Sequence, residues 1–357
     1  MQEKLFEERL SLRAGVAILF VLYVGRAGVN HATWGMGADA WLGMLLGFAF
    51  SLPMLLILAR LVQLLPEMNL FEMLRYGFGR GLAYVLSALY FLYFLALAAT
   101  VLEQVQFVRF AGLPQTPLAV IVLFFFAAGI YLARVNVHAM GKWSVLAGLI
   151  IIGIALLLTL FALPHLRTLH LLPIGRSGDG VLLQGGYRFM VSPLGEAVVL
   201  LTLLGKRAKP RHPYRMFLFG AGFASLFFVL TFLRDRAILG ASVMERVQFA
   251  PYHAASGIQI GALGSRVESL LTILVLLSGF TMLAVYLFAA SRILPRSEGR
   301  GKLLFVAILA MVGVLLLHAG VLAGVSLGAL HLRYAPVMQS VIPALLWLVA
   351  EVKARRA

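Results

Sequence analysis

Apolar residues run along this chain in blocks long enough to cross a bilayer, a distance that takes an α-helix of about 20 residues. Ten such blocks stand between polar stretches: 11–34, 40–64, 82–110, 117–133, 143–163, 185–204, 216–233, 267–294, 302–320 and 336–350. The pattern predicts an all-α membrane protein with ten transmembrane helices. Two of the blocks are interrupted. Gly25-Arg26-Ala27-Gly28 breaks the first and Ser192-Pro193-Leu194-Gly195-Glu196 breaks the sixth. The third and eighth are unusually long, which predicts tilt. Two longer polar stretches, 164–184 and 234–266, are expected as loops on one side of the membrane.

A cut after block five gives two halves, 1–163 and 164–357, each with five spans and each opening on its interrupted one. Interruptions at matching positions in two halves point to a transporter-type binding site. Because five is odd, the second half is inverted relative to the first. The predicted fold is therefore a five-plus-five inverted repeat within a single integral membrane domain, with spans one and six broken.

The breaks carry their own chemistry. Unwinding frees backbone N–H and C=O groups that lipid cannot satisfy, so such segments survive only beside protein or a wet cavity. Freed N–H groups at a half-helix start suit a carboxylate, and freed carbonyls suit an ammonium or a cation. A zwitterionic amino acid fits both ends. Pro193 lacks an N–H, while Gly25, Gly28 and Gly195 tolerate close approach. The candidate ligand-binding residues are Gly25, Arg26, Ala27, Gly28, Ser192, Pro193, Leu194, Gly195 and Glu196. Thr100 on span three and Gly279 and Phe280 on span eight are expected to wall the same pocket.

Composition narrows the class. The chain is 62% hydrophobic and 12% charged, against ~45–50% and ~25% in a soluble domain. A soluble enzyme, a nucleic-acid binder and a disordered tail are excluded despite a formal charge of +16. The basic excess is a topology signal. With both termini inside, 20 Lys and Arg residues fall in inner loops and nine in outer ones, Arg26 being within a span. This bias predicts cytoplasmic termini. Residues 1–13 are polar and mixed in charge, with no small-residue cleavage site after the first apolar block, so no cleavable signal is expected. The chain has no cysteine. The eight histidines show no metal-binding spacing, so no metal, cofactor or catalytic role is expected. The GxGxxA match at residues 35–40 follows no strand and is read as a loop.

Charges inside apolar spans are costly and mark partners or cavities. Arg26 and Glu196 sit in the two breaks with opposite signs. They either serve the ligand or lock the breaks as an ion pair. Glu103, beside Gln104, is expected in a vestibule, and Glu268, beside Arg266, at the membrane interface.

At this point the residues resemble a known family, the spore germination permeases of the amino acid–polyamine–organocation superfamily, over nearly the whole chain. Asp39-Ala40-Trp41 is similar to that family's opening of span two. Leu113-Pro114-Gln115-Thr116-Pro117-Leu118 resembles its Leu-Pro-Glu-Thr-Pro-Leu before span four. Ser192-Pro193-Leu194-Gly195-Glu196 is similar to its Pro-x-Gly-Glu break. Arg266-Val267-Glu268-Ser269-Leu270, Ser278-Gly279-Phe280 and Tyr286-Leu287-Phe288-Ala289-Ala290 resemble its span-eight pattern. Tyr252-His253 stands where the family has Tyr-Pro.

The resemblance implies the membrane B-subunit of a nutrient germinant receptor in the spore inner membrane. Such a subunit binds a small nutrient, often an amino acid, and acts with an A-subunit and a lipoprotein C-subunit. The alternative is a secondary transporter moving amino acids or polyamines with a proton or sodium ion. Membrane lipid is the surrounding partner in both, and nucleic acid in neither.

Overall fold

The computed structural model describes residues 10–27, 36–172, 174–175, 177–206, 208–258, 267–294, 300–320 and 327–356. Helices make up most of them, and β pairing among them is confined to two isolated bridges, Leu10 with Pro210 and Gly205 with Ala208. The first part of the chain forms α1 (Leu12–Ala27), α2 (Ala40–Leu64), α3 (Leu70–Ala99), α4 (Val101–Ala111), α5 (Leu118–Ala133) and α6 (Val137–Ala162). The second forms α7 (Asp179–Val191), the short α8 (Leu200–Leu203), α9 (Pro213–Leu239), α10 (Ala241–Met244) and α11 (Ala250–Ser256). It ends with α12 (Glu268–Ile293), α13 (Arg300–His318), α14 (Leu327–Pro336) and α15 (Ile342–Arg356).

Among the described residues, seven helical stretches are long and apolar enough to cross a membrane. They are Ala40–Leu64, Leu70–Ala111, Val137–His165, Pro213–Leu239, Glu268–Ile293, Gly301–His318 and Gly328–Arg355. This is an integral membrane protein. The other apolar helices are shorter: α1 and α5 have 16 residues each and α7 has 13.

Local sequence sets the helix ends. The Asn69 side chain accepts from the Glu72 amide, and Glu72 returns the bond to the Asn69 amide, a reciprocal cap that starts α3. Asn136 caps α6 through the Ala139 amide. Pro213 begins α9, where its missing N–H costs nothing. Gly240, at φ 75°, ends it. Gly79 (φ 78°, ψ 177°) is non-helical and kinks α3, so a short capped segment carrying Arg75 precedes the long run, which begins just after Gly79 and close to the expected start of span three at residue 82.

A correction concerns α9. Its last turns carry Arg234, Asp235 and Arg236, which the charge pattern assigned to a loop. All three are buried. Arg234 Nε lies 2.8 Å from Asp235 Oδ1. Arg236 Nε donates to the His170 carbonyl at 3.1 Å, which fastens the segment after α6 to the end of α9. Asp39 at the start of α2 holds the next stretch, accepting from the amides of Gly175 and Ser177 at 2.9 Å each. Charges that satisfy one another and nearby backbone groups allow the helix to continue.

Apolar surface divides by destination. Phe124 and Tyr131 on α5, Leu156 on α6 and Phe305 on α13 are largely exposed, as lipid-facing residues are. Tyr23, Tyr90, Phe94 and Tyr286 are fully buried. In the middle, α1 packs against α6, α9 and α12, and the interrupted segment after α7 touches α1, α2, α12 and a π-helical turn at Val337–Val341.

Candidate functional site

α1 lies directly on α12. A Cβ at position 25 would stand 2.6 Å from the Ser278 carbonyl oxygen, so only glycine fits. The Gly25 carbonyl accepts from Gln104 Nε2 at 2.6 Å. Arg26, in the last turn of α1, is turned toward the second interruption.

That second interruption begins after Val191. Ser192 is extended (φ −142°, ψ 114°), and a buried 3-10 turn, Leu194–Val199, follows. The helix ladder is lost there, and side chains from other spans take its place. Gln339 Nε2 donates to the Val191 carbonyl at 2.9 Å, and the Tyr23 hydroxyl donates to the Leu194 carbonyl at 3.3 Å. Backbone groups freed in the apolar interior are thereby satisfied by protein.

The centre of the arrangement is Glu196, which is 0% exposed. Its Oε1 accepts from Arg26 Nε at 2.9 Å and from Ser192 Oγ at 3.4 Å. Its Oε2 accepts from the Tyr286 hydroxyl. His331 Nε2 lies 3.8 Å from Oε1. Arg26 also reaches Glu103, with Nη1 3.4 Å from Oε2, and the Glu103 side chain is 40% exposed. One guanidinium thus bridges a buried carboxylate and a partly solvated one. Removing either member of a buried pair strands the other's charge.

The last segment of the chain closes the site. Tyr93 on α3 stacks on the His331 ring, with centroids 6.0 Å apart, and the Tyr90 hydroxyl donates to the Met338 carbonyl at 2.6 Å. Gln339, buried in the π turn, also donates to the Tyr93 hydroxyl at 2.8 Å. Its Oε1 would stand 2.1 Å from a Cβ at position 195, so Gly195 is the seat of the Gln339 amide. A π turn inside a helix is frequent at functional sites because it re-aims side chains.

The structure brings Gly25, Arg26, Ser192, Leu194, Gly195 and Glu196 into this one centre. Pro193 lies between them and accepts the Glu196 amide at 3.1 Å. Gly25, Arg26 and Ala27 are helical, Ala27 being the last helical residue of α1, so the expected interruption does not begin at Gly25; Gly28 lies outside the described residues. Thr100 occupies the joint between α3 and α4, one turn before Glu103, and donates its hydroxyl to the Leu97 carbonyl of its own helix at 2.7 Å. Gly279 faces Gln104 and Phe125. Phe280 packs on Trp143, with ring centroids 5.9 Å apart, on the α6 side of α12. Among the described residues, no group of three or more His, Asp or Glu side chains is placed to hold a metal ion.

Sequence reasoning missed Tyr23, Tyr93, Tyr286, His331 and Gln339. Each is a polar side chain within an apolar span, which is the signal that could have found them. Counting only formally charged residues passed over them.

The helical arrangement is that of membrane transporters. It superposes on Mhp1, a nucleobase-cation-symport-1 family transporter in a closed conformation with bromovinylhydantoin bound, with a TM-score of 0.64 at 15% identity, covering 92% of this chain and 76% of that one. A substrate-bound, outward-open Na+-coupled sialic acid symporter gives 0.61 at 11% identity, covering 95% and 78%. Residues 10–319 match the family described as Spore germination protein, and the chain belongs to that family. Spore germination protein KB of Bacillus subtilis (strain 168) is 22% identical over 285 residues, 79% of this chain and 76% of its own. Spore germination protein YndE of the same organism is 24% identical over 289 residues, 78% of each.

Proposed function

We propose that this protein is the membrane subunit of a nutrient germinant receptor and binds a small ligand, an amino acid, at the Arg26–Glu196 centre to trigger spore germination. The observation that carries this reading is the pair itself, with opposite charges set at the end of α1 and in the break after α7, in a chain of the spore germination family. An ammonium and a carboxylate on one small molecule match Glu196 and Arg26 in turn. In this reading the chain is one integral domain of ten spans, with 1–163 and 164–357 as inverted repeats. Both termini face the cytoplasm, and the site lies at mid-membrane. The spore inner membrane houses it, together with an A-subunit and a lipoprotein C-subunit.

A sensor needs different affinities for two states of the protein, since equal affinity shifts nothing. The end of α1 and the break after α7 are the bistable element in this account. Their backbone groups are held by Gln104, Tyr23 and Gln339, and a ligand competes for the charges beside them.

The second reading, a secondary transporter of amino acids or polyamines coupled to a proton or sodium ion, is favoured by the fold shared with two cation-coupled carriers. Germination of spores carrying a deletion of this gene, complemented with wild type or with Glu196→Gln, tests the first reading. Amino acids are expected to trigger the wild-type strain and to lose potency on the variant. Uptake of a labelled amino acid by proteoliposomes, with no germination defect in the deletion strain, supports the second instead.

A further inference from the structure

We propose that the ligand of this centre is a basic amino acid, whose side-chain cation binds Glu103 while its α-ammonium binds Glu196 and its carboxylate binds Arg26. The proposal rests on the ligand reading above and deepens it by naming the class of amino acid. It gives Glu103 the role of choosing between basic and neutral ligands.

Charge counting carries the inference. One guanidinium serves two carboxylates: Arg26 Nε is 2.9 Å from Glu196 Oε1, and Arg26 Nη1 is 3.4 Å from Glu103 Oε2. His331 Nε2 lies 3.8 Å from Glu196 Oε1 and makes no hydrogen bond. A charge in the interior without a close partner is costly, so the imidazole adds no cation. Among the described residues, the cluster therefore carries one more negative charge than positive. A zwitterion leaves that excess unchanged. Its carboxylate draws on Arg26, and its single ammonium answers only one of the carboxylates that Arg26 served. A basic amino acid brings a second cation. Glu196, Glu103 and the ligand carboxylate then face Arg26, the α-ammonium and the side-chain cation. An uncompensated charge costs most where the site is dry. Glu196 is fully buried, so the α-ammonium falls to Glu196 and the second cation to Glu103.

Position supports the assignment. The Glu103 side chain is partly exposed, so a long side chain can lay its apolar stem along the protein and keep water on its charged end. The two carboxylates are reached through different nitrogens of one guanidinium. They lie one guanidinium apart, a gap that the aliphatic arm between the two cations of a basic amino acid spans. A further acceptor stands next to Glu103 in the chain. Gln104 is buried, its Nε2 donates to the Gly25 carbonyl at 2.6 Å, and its Oε1 has no hydrogen-bond partner. Gly25 directly precedes Arg26, so this oxygen lies at the end of α1, beside the cluster. A buried acceptor left without a donor is costly, and an ammonium or guanidinium has N–H groups to spare for it. A neutral aliphatic side chain has none. A polyamine supplies the cations but no carboxylate, and so sets its charges against Arg26 with nothing to hold that guanidinium.

The test is thermal shift of the full chain in detergent with ligands paired by shape: L-arginine against L-citrulline, and L-lysine against L-norleucine. Cadaverine serves as the lysine skeleton without its carboxylate. Wild type is compared with Glu103→Gln, which keeps the side-chain volume. In wild type, the Kd of each basic amino acid is expected to lie about tenfold or more below that of its neutral counterpart, and cadaverine is expected to give no shift. In Glu103→Gln the ratio is expected to fall toward one. The wild-type ratios decide even without the variant: citrulline and norleucine that bind as tightly as arginine and lysine overturn the proposal and leave the ligand reading standing. A preference for the basic member that persists unchanged in Glu103→Gln overturns it too, as does cadaverine binding as tightly as lysine. No shift with any of these compounds or with the other proteinogenic L-amino acids overturns both readings.

Discussion

Arg26 on α1 and Glu196 in the break after α7 are 170 residues apart in sequence and 2.9 Å apart in space. The contact ties the end of α1 to the break after α7 at a carboxylate with no solvent exposure. Its consequence is energetic before it is functional. Glu196 without Arg26 keeps only Tyr286, Ser192 and the His331 imidazole within reach. Arg26→Ala is expected to destabilise the protein by roughly 3–5 kcal/mol. Arg26→Ala with Glu196→Ala should cost less than the sum of the two single changes. A double-mutant cycle on detergent-solubilised protein reads the coupling. Additivity within a few tenths of a kcal/mol means that the two residues do not communicate.

Gly195 and Gln339 supply a second expected coupling. Gly195→Ala drives a methyl group into the Gln339 amide, which must then give up the Val191 carbonyl and the Tyr93 hydroxyl. The expected loss is about 1–3 kcal/mol. Gln339→Ala in the Gly195→Ala background should recover part of it by emptying the space. Thermal unfolding of the three variants checks this. A Gly195→Ala protein as stable as wild type contradicts the packing described.

The strap between α6 and α7 depends on Asp39. Asp39→Ala leaves the Gly175 and Ser177 amides without their acceptor, at a cost of about 1–3 kcal/mol. The expected effect is local: faster hydrogen exchange at Gly175 and Ser177, with exchange at α1 and α12 unchanged. Equal acceleration throughout the bundle would show that Asp39 supports the whole fold and not this strap.

Topology is testable because the chain has no cysteine. Leu172→Cys, in the exposed strap, is expected to react with an impermeant maleimide from outside the cell. Arg211→Cys, exposed just before α9, should react only after permeabilisation. The reverse pattern contradicts the cytoplasmic placement of both termini.

Hydropathy made the helical bundle legible, because a lipid-facing helix must be apolar along its length whatever it packs against. It failed where charges are satisfied by tertiary partners. Arg234 to Arg236 on α9 read as loop, yet the helix runs through them. The break after α7 was legible from Pro193 and Gly195 beside a charge, and Arg26 and Glu196 were read from their opposite signs. Tyr286, His331 and Gln339 were not, because an uncharged polar residue in an apolar helix shows its purpose only when its acceptor is known. The Val191 and Leu194 carbonyls became acceptors only once the helix had broken. The π turn that aims Gln339 has no composition of its own and could not be read from the chain.

The central claim is that an amino acid binds at the Arg26–Glu196 centre. The most direct measurement is the thermal shift of purified wild type and of Glu196→Gln across the proteinogenic L-amino acids. Glu196→Gln keeps the side-chain volume and removes only the charge. At ligand concentrations near 100 times Kd, binding stabilises the folded protein by about 2.7 kcal/mol. The expected result is a clear upward shift in Tm for at least one amino acid in wild type, lost or strongly reduced in Glu196→Gln. An amino acid that stabilises both proteins equally would place the ligand elsewhere and contradict the account.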